Sequence, residues 1–239
     1  MAISVEDCLA AITSHTRGLA SAAEDHLDAR IEHCPAWSMA DLVWHLASVH
    51  WFWNEVATRR PLSEPADLVR PDRPADADLI ATLVAGVDVL TETLRSADQL
   101  APCWTWGLEE TVWFITRHQV QEAAVHHWDA VNAGGGTWSM DPVLAEDSVE
   151  EFLTQSVANR RWPVADAEPL GAAFSIPGTP FTVRDGATTG TLDWSREGSG
   201  ELHDPATALL WLYRRLPDNG EVDADPHLVQ RFRAYTATD

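Results

Sequence analysis

Three features of the 239-residue sequence predict a mainly α fold, a four-helix bundle followed by a small α+β domain. Four segments of about 20 residues, with apolar side chains recurring every three or four positions, occupy the first half. The run Gly134-Gly135-Gly136 stops the last of them. Beyond it, short β-branched or alternating runs separated by Gly, Pro and Asp take over. The expected domains are residues 1–136, the bundle, and residues 137–239, the α+β domain.

The first helix is expected over residues 5–29, where Leu9, Ile12, Leu19, Ala22 and Leu27 recur at mostly helical intervals. His33-Cys34-Pro35-Ala36-Trp37 reads as a turn. Ser38, with Asp41 three residues on, resembles a capping box with Asp in place of Glu. The second helix follows over residues 39–58, with His45, Val49, Phe52 and Val56 along one stripe. Residues 60–74, rich in Pro and Asp and without periodicity, read as a long surface loop, a kind of segment that often carries function. A third helix covers residues 76–97 with Leu79, Leu83, Val87, Leu90 and Leu94 at nearly regular spacing. The aromatic connection Cys103-Trp104-Thr105-Trp106-Gly107 leads to a fourth over residues 109–133. In the second domain, residues 142–160 read as a helix and 172–176, 181–184 and 191–195 as strands. Residues 205–216, capped by Asp204, and residues 226–235 complete it as helices.

Composition narrows the chemistry. With 37 acidic against 16 basic residues the formal net charge is −21, which argues against a nucleic-acid backbone or an anionic membrane as partner. Every basic residue is Arg, so Schiff-base chemistry, a Lys general base and a P-loop Lys are excluded. The three cysteines, Cys8, Cys34 and Cys103, are too scattered for a disulfide framework, and Cys34 and Cys103 each read as a buried or bystander thiol. With no leader-like or membrane-spanning apolar run, a cytoplasmic location is expected.

The chemistry-bearing stretch is residues 117–129, RHQVQEAAVHHWD, in which Glu122 and His126 stand one helical turn apart on one face. A carboxylate and an imidazole so placed can grip one metal ion, and equally they can be an exposed helix pair. His45 in the second helix is a third candidate donor, or a hydrogen-bonded core histidine. Two His and one carboxylate would leave positions open for water or substrate. His118 lies a turn before Glu122, too far along the axis to share an ion with His126, and is expected at the rim. His50 and His127 read as structural or exposed. Asp129 is either a carboxylate orienting a ligand histidine or a solvated one near the helix end. Most of the twelve tryptophans read as packing, with Trp104 and Trp106 at the entrance.

The segment Cys34-Pro35-Ala36-Trp37-Ser38-Met39-Ala40-Asp41-Leu42-Val43-Trp44-His45-Leu46 resembles one motif of the mycothiol-dependent maleylpyruvate isomerase family. Glu122-Ala123-Ala124-Val125-His126-His127-Trp128-Asp129-Ala130 is similar to a second, and residues 204–216 and 228–233 resemble pieces of its C-terminal domain. The resemblance implies a DinB-like bundle holding a divalent metal, usually zinc, on His45, Glu122 and His126, and the use of mycothiol. It also implies a C-terminal arginine for an anionic substrate, best matched by Arg214 or Arg215. Gln121 stands where many members have His, and His118 replaces a frequent Arg, so the substrate rim is expected to differ.

The function expected is thiol activation on the metal for addition to an electrophilic small molecule, ending in cis–trans isomerisation or S-transfer, by a monomer or homodimer. The rivals are a metal-dependent hydrolase that needs no thiol and a non-catalytic ligand-binding or regulatory protein.

Overall fold

A computed structural model of the chain describes residues 3–157, 164, 166–176, 178–197, 204–217 and 225–236. Packing divides the chain into two compact units, Met1–Met140 and Asp141–Asp239.

The first unit is built on α1 (Val5–Ala23), α2 (Met39–Arg59), α3 (Asp76–Ser96) and α4 (Val112–Gly134). Capping boxes open α1 and α2, where Ser4 and Ser38 exchange hydrogen bonds with Asp7 and Asp41. Leu19, Leu42, Leu46, Leu79, Leu83 and Ala130 are among the buried side chains of the core they enclose. Helix direction follows from which residues meet. Gly18 faces His127 and Gly134 faces Ala22, so α1 and α4 run the same way. Arg73 ties Asp41 to Asp76, and Asn54 bonds Thr93, so α2 and α3 are also parallel to each other. Joining two parallel helices requires the chain to return the whole length of α2, about 30 Å for such a helix. Residues 60–75 make that return as a strap along α2.

Two boundaries differ from the periodicity, each for a backbone reason. The first helix stops at Ala23 and not near residue 29, because Asp25 adopts a left-handed conformation at φ 62°. The carbonyls of Leu27 and Ala29 then accept from Ala40 and Met39, satisfying amides that the start of α2 cannot pair internally. The fourth helix starts at Val112 and not at residue 109, because Cys103 N–H donates to the Glu110 carbonyl and Val112 N–H to that of Ala101. The apolar stripe expected along α2 is also shifted. Leu42, Val43, Leu46, His50, Trp53 and Val56 face the core, while His45, Val49 and Phe52 are partly exposed beside it.

The second unit holds α5 (Pro142–Glu151), continued by a π turn over Phe152–Ser156, then β1 (Phe174–Ser175), β2 (Phe181–Asp185), β3 (Leu192–Arg196), α6 (Pro205–Leu212) and α7 (Pro226–Tyr235). The strands form an antiparallel sheet in the order β1-β2-β3, with Val183 opposite Trp194. All three α-helices open on Asp-Pro, the Asp side chain accepting from backbone amides and the Pro filling a first-turn position with no N–H to satisfy. Of the helix expected over residues 142–160, the last three lie outside the described residues, and α6 stops at Leu212, ahead of a left-handed Arg214 at φ 61°. Phe152, Phe174, Phe181 and Phe232 are fully buried in this unit. Among the described residues, no helix is long and apolar enough to cross a membrane.

Candidate metal centre

Side chains from α2 and α4 converge inside the first unit. His45 Nε2 lies 3.1 Å from Glu122 Oε1, and His126 Nε2 lies 3.4 Å from the same oxygen. The donor atoms of His45, Glu122 and His126 all fall within 4.8 Å of one another. Ligands held about 2 Å from one ion at tetrahedral angles stand roughly 3.3 Å apart, so this set could hold a small divalent cation with a modest contraction. Spacing along α4 supplies two of the three, since Glu122 and His126 are separated by one turn. The third arrives because α2 packs against α4.

The surroundings hold the donors in place. His126 is buried, and its Nδ1 lies 3.1 Å from Asp129 Oδ2, whose side chain is fully buried. That contact holds the ring so that Nε2 faces the cluster, the usual task of a carboxylate behind a ligand histidine. Asp129 is thus not the solvated carboxylate that is one of its two readings in the sequence, and it contacts the His126 ring. The Trp37 ring stands 4.7 Å from that of His45 and 6.3 Å from that of His126, covering one side of the cluster. Burial would push the Glu122 carboxyl up, but the His126 charge and hydrogen bonds from both histidines outweigh it and hold the group well below the usual carboxylate range. Burial likewise opposes charge on His126, yet Glu122 and Asp129 raise it to about 9. Both shifts come from the pairing of His126 with the two carboxylates.

The other candidates lie apart from this cluster. His118 is buried among Phe114, Trp106 and Trp53, with ring centroids 5.5, 4.8 and 6.2 Å away. Trp104 stacks on Trp53, so the aromatic connection before α4 packs on the end of the bundle that α4 starts from. His50 is wholly buried, its two nitrogens 3.0 Å from Thr16 Oγ1 and 2.9 Å from Gln119 Oε1. His127 stands 3.1 Å from His15, nitrogen to nitrogen, against the bare backbone of Gly18. In the second unit, Arg214 is exposed and donates to the Arg233 carbonyl, while Arg215 is buried and donates to the Tyr213 carbonyl at 2.8 Å. One neighbour of the cluster, Trp37, carries no signal in the sequence beyond its place in a turn.

A family model described as the mycothiol maleylpyruvate isomerase N-terminal domain matches residues 8–131, more than half of the chain and the span that contains all three donors. No curated protein and no solved structure matches the chain.

Proposed function

Because the chain belongs to the mycothiol maleylpyruvate isomerase N-terminal domain family, we propose that it is a divalent-metal enzyme that activates mycothiol for addition to an electrophilic small molecule. The observation that carries this reading is the convergence of His45, Glu122 and His126, with donors within 4.8 Å of one another and Asp129 behind His126. A divalent cation held there, zinc by the preference of a two-histidine, one-carboxylate set, would supply the positive charge that lowers the pKa of a thiol towards neutrality. The protein's own contribution is orientation and shielding. Asp129 fixes the His126 tautomer, Glu122 supplies a negative donor between the two imidazoles, and Trp37 limits water on one side.

The thiolate sulfur attacks one carbon of an activated double bond, and the π electrons move onto the activating group. Rotation about the resulting single bond and expulsion of the thiolate complete a cis–trans isomerisation. Protonation of the carbon in place of expulsion leaves a conjugate and an S-transferase. For the C-terminal arginine implied by the family resemblance we propose Arg214 or Arg215, of which Arg214 is the one exposed to solutes.

Turnover of maleylpyruvate-type electrophiles by the zinc-loaded protein, measured with and without mycothiol, tests the proposal. Turnover is expected only with the thiol. Equal rates in its absence would reject thiol activation and favour hydrolysis.

A further inference from the structure

Between the strap of residues 60–75 and α2 lies a cleft of about 360 Å3. His45 forms part of its wall, with Ser48, Val49 and Phe52 from α2 and Leu68 and Arg70 from the strap. Arg70 is the cationic side chain of this lining. Its Nε donates to Ser48 Oγ at 3.0 Å, and its guanidinium carbon stands 4.9 Å from the centre of the Trp44 ring. A hydrogen bond at one edge and an indole within cation–π distance restrain the group. Among the described residues, the two terminal nitrogens of Arg70 make no hydrogen bond and have no carboxylate within ion-pair distance. The contrast with Arg73 is direct, since that strap arginine binds Asp41 at 2.7 Å and Asp76 at 2.8 Å. Acidic side chains outnumber basic ones 37 to 16 in this chain, and Arg70 is still left without one.

We infer that Arg70 takes a carboxylate of the small molecule bound in this cleft, making it a specificity-determining residue beside His45. The inference rests on the proposed function in taking the His45 side of the cleft as the working face. Ser48, which anchors the guanidinium, follows His45 by three positions, about 4.5 Å along the helix axis. A pinned guanidinium offers its terminal nitrogens as a fork that a carboxylate accepts with two parallel hydrogen bonds. Arg70 is itself exposed, so its fork is open to a ligand, and Val49, Phe52 and Leu68 offer apolar contact beside it. A net charge of −21 repels anions at long range, so selectivity for them has to come from a local group of this kind.

Calorimetric titration of the zinc-loaded full-length protein with succinate and with succinamide, its neutral counterpart, tests the assignment. Succinate is expected to bind at least about tenfold more tightly. Arg70→Met should reduce that preference about tenfold, and Arg70→Lys, a point charge without the fork, should keep part of it. Zinc content should be unchanged in both variants. A wild-type protein with no preference, or a preference unaltered in Arg70→Met, would overturn the inference. If Arg70→Met does not fold, Ser48→Ala releases the Nε and should lower the preference partway; an unaltered preference there would count equally against it. Mycothiol added to cobalt-substituted protein should separately give a sulfur-to-cobalt charge-transfer band. Its absence would strike the thiol reading alone, because the succinate comparison contains no thiol.

Discussion

His126 is the most tightly specified of the three donors, because Glu122 addresses one ring nitrogen and the fully buried Asp129 the other. Asp129→Asn removes the charge behind the ring but keeps its size, and should weaken zinc binding about 10- to 100-fold in competition with a chelator. Unchanged affinity would reduce Asp129 to a packing role. His45→Ala, Glu122→Ala and His126→Ala should each lose bound zinc on elemental analysis, while His118→Ala, in its aromatic surroundings, should retain it. Stoichiometric zinc in any of the first three removes that residue from the site. His50 supplies a pH test. Burial pushes its pKa down to about 4, against an ordinary value of 6.5. The unfolded chain therefore takes up a proton near pH 6.5 and the folded one only near pH 4. Stability contributed by neutral His50 is complete above pH 6.5 and falls as pH drops towards 4, by about 3 kcal/mol in all. Urea unfolding across this range should show a flatter pH dependence in His50→Gln than in the wild type, and parallel curves would refute the assignment. Glu122, His126 and Asp129 were readable because a helix turns spacing into proximity. His45 needed a second helix, and Trp37 and Arg70 needed the path of the chain around it.

Apolar periodicity marks α3 within one residue of its end and α2 likewise, because both are buried along one side for their whole length. It overruns α1 and α4 where a few residues keep the apolar rhythm while their backbone serves another purpose. Leu27 packs on the core from a turn, and its carbonyl caps α2. No periodicity in side chains can report that, since the deciding interactions are backbone hydrogen bonds to a different element. The strap shows the same limit from the other side. Its Pro and Asp content announced a long loop, but its route along α2 follows from the parallel pairing of α2 with α3. The close approach of α1 and α4 depends on Gly18, where a Cβ would run into the His127 imidazole. Gly18→Ala should destabilise the protein by about 1–3 kcal/mol in denaturant unfolding. The double variant Gly18→Ala/His127→Ala should recover part of this loss relative to additivity, as expected for side chains that collide. Strict additivity would place the cost elsewhere.

The two units were predictable in kind because their sequence textures differ, long helical periods giving way to short runs punctuated by Asp-Pro caps. The second unit was less readable in detail because its strands are at most five residues long and their pairing is decided by contacts between segments. One property belongs to the whole chain and needs no coordinates, the net charge of −21. Two effects of salt compete on such a molecule. Screening weakens ion pairs such as Arg17–Asp88 and Arg184–Glu197, which are about half exposed and contribute about 0–1 kcal/mol each. Screening also relieves the mutual repulsion of the excess acidic groups, which acts over the whole surface at low salt, where the Debye length is about 30 Å, and is largely removed when it shrinks to about 8 Å. With 37 acidic and 16 basic residues, a large excess of negative charge remains however the ion pairs are arranged, so the second effect should win. The melting temperature of the zinc-loaded protein is expected to rise by a few degrees between about 10 and 150 mM NaCl. A melting temperature that falls over this range would mean that its ion pairs, and not its net charge, govern the electrostatics of the fold.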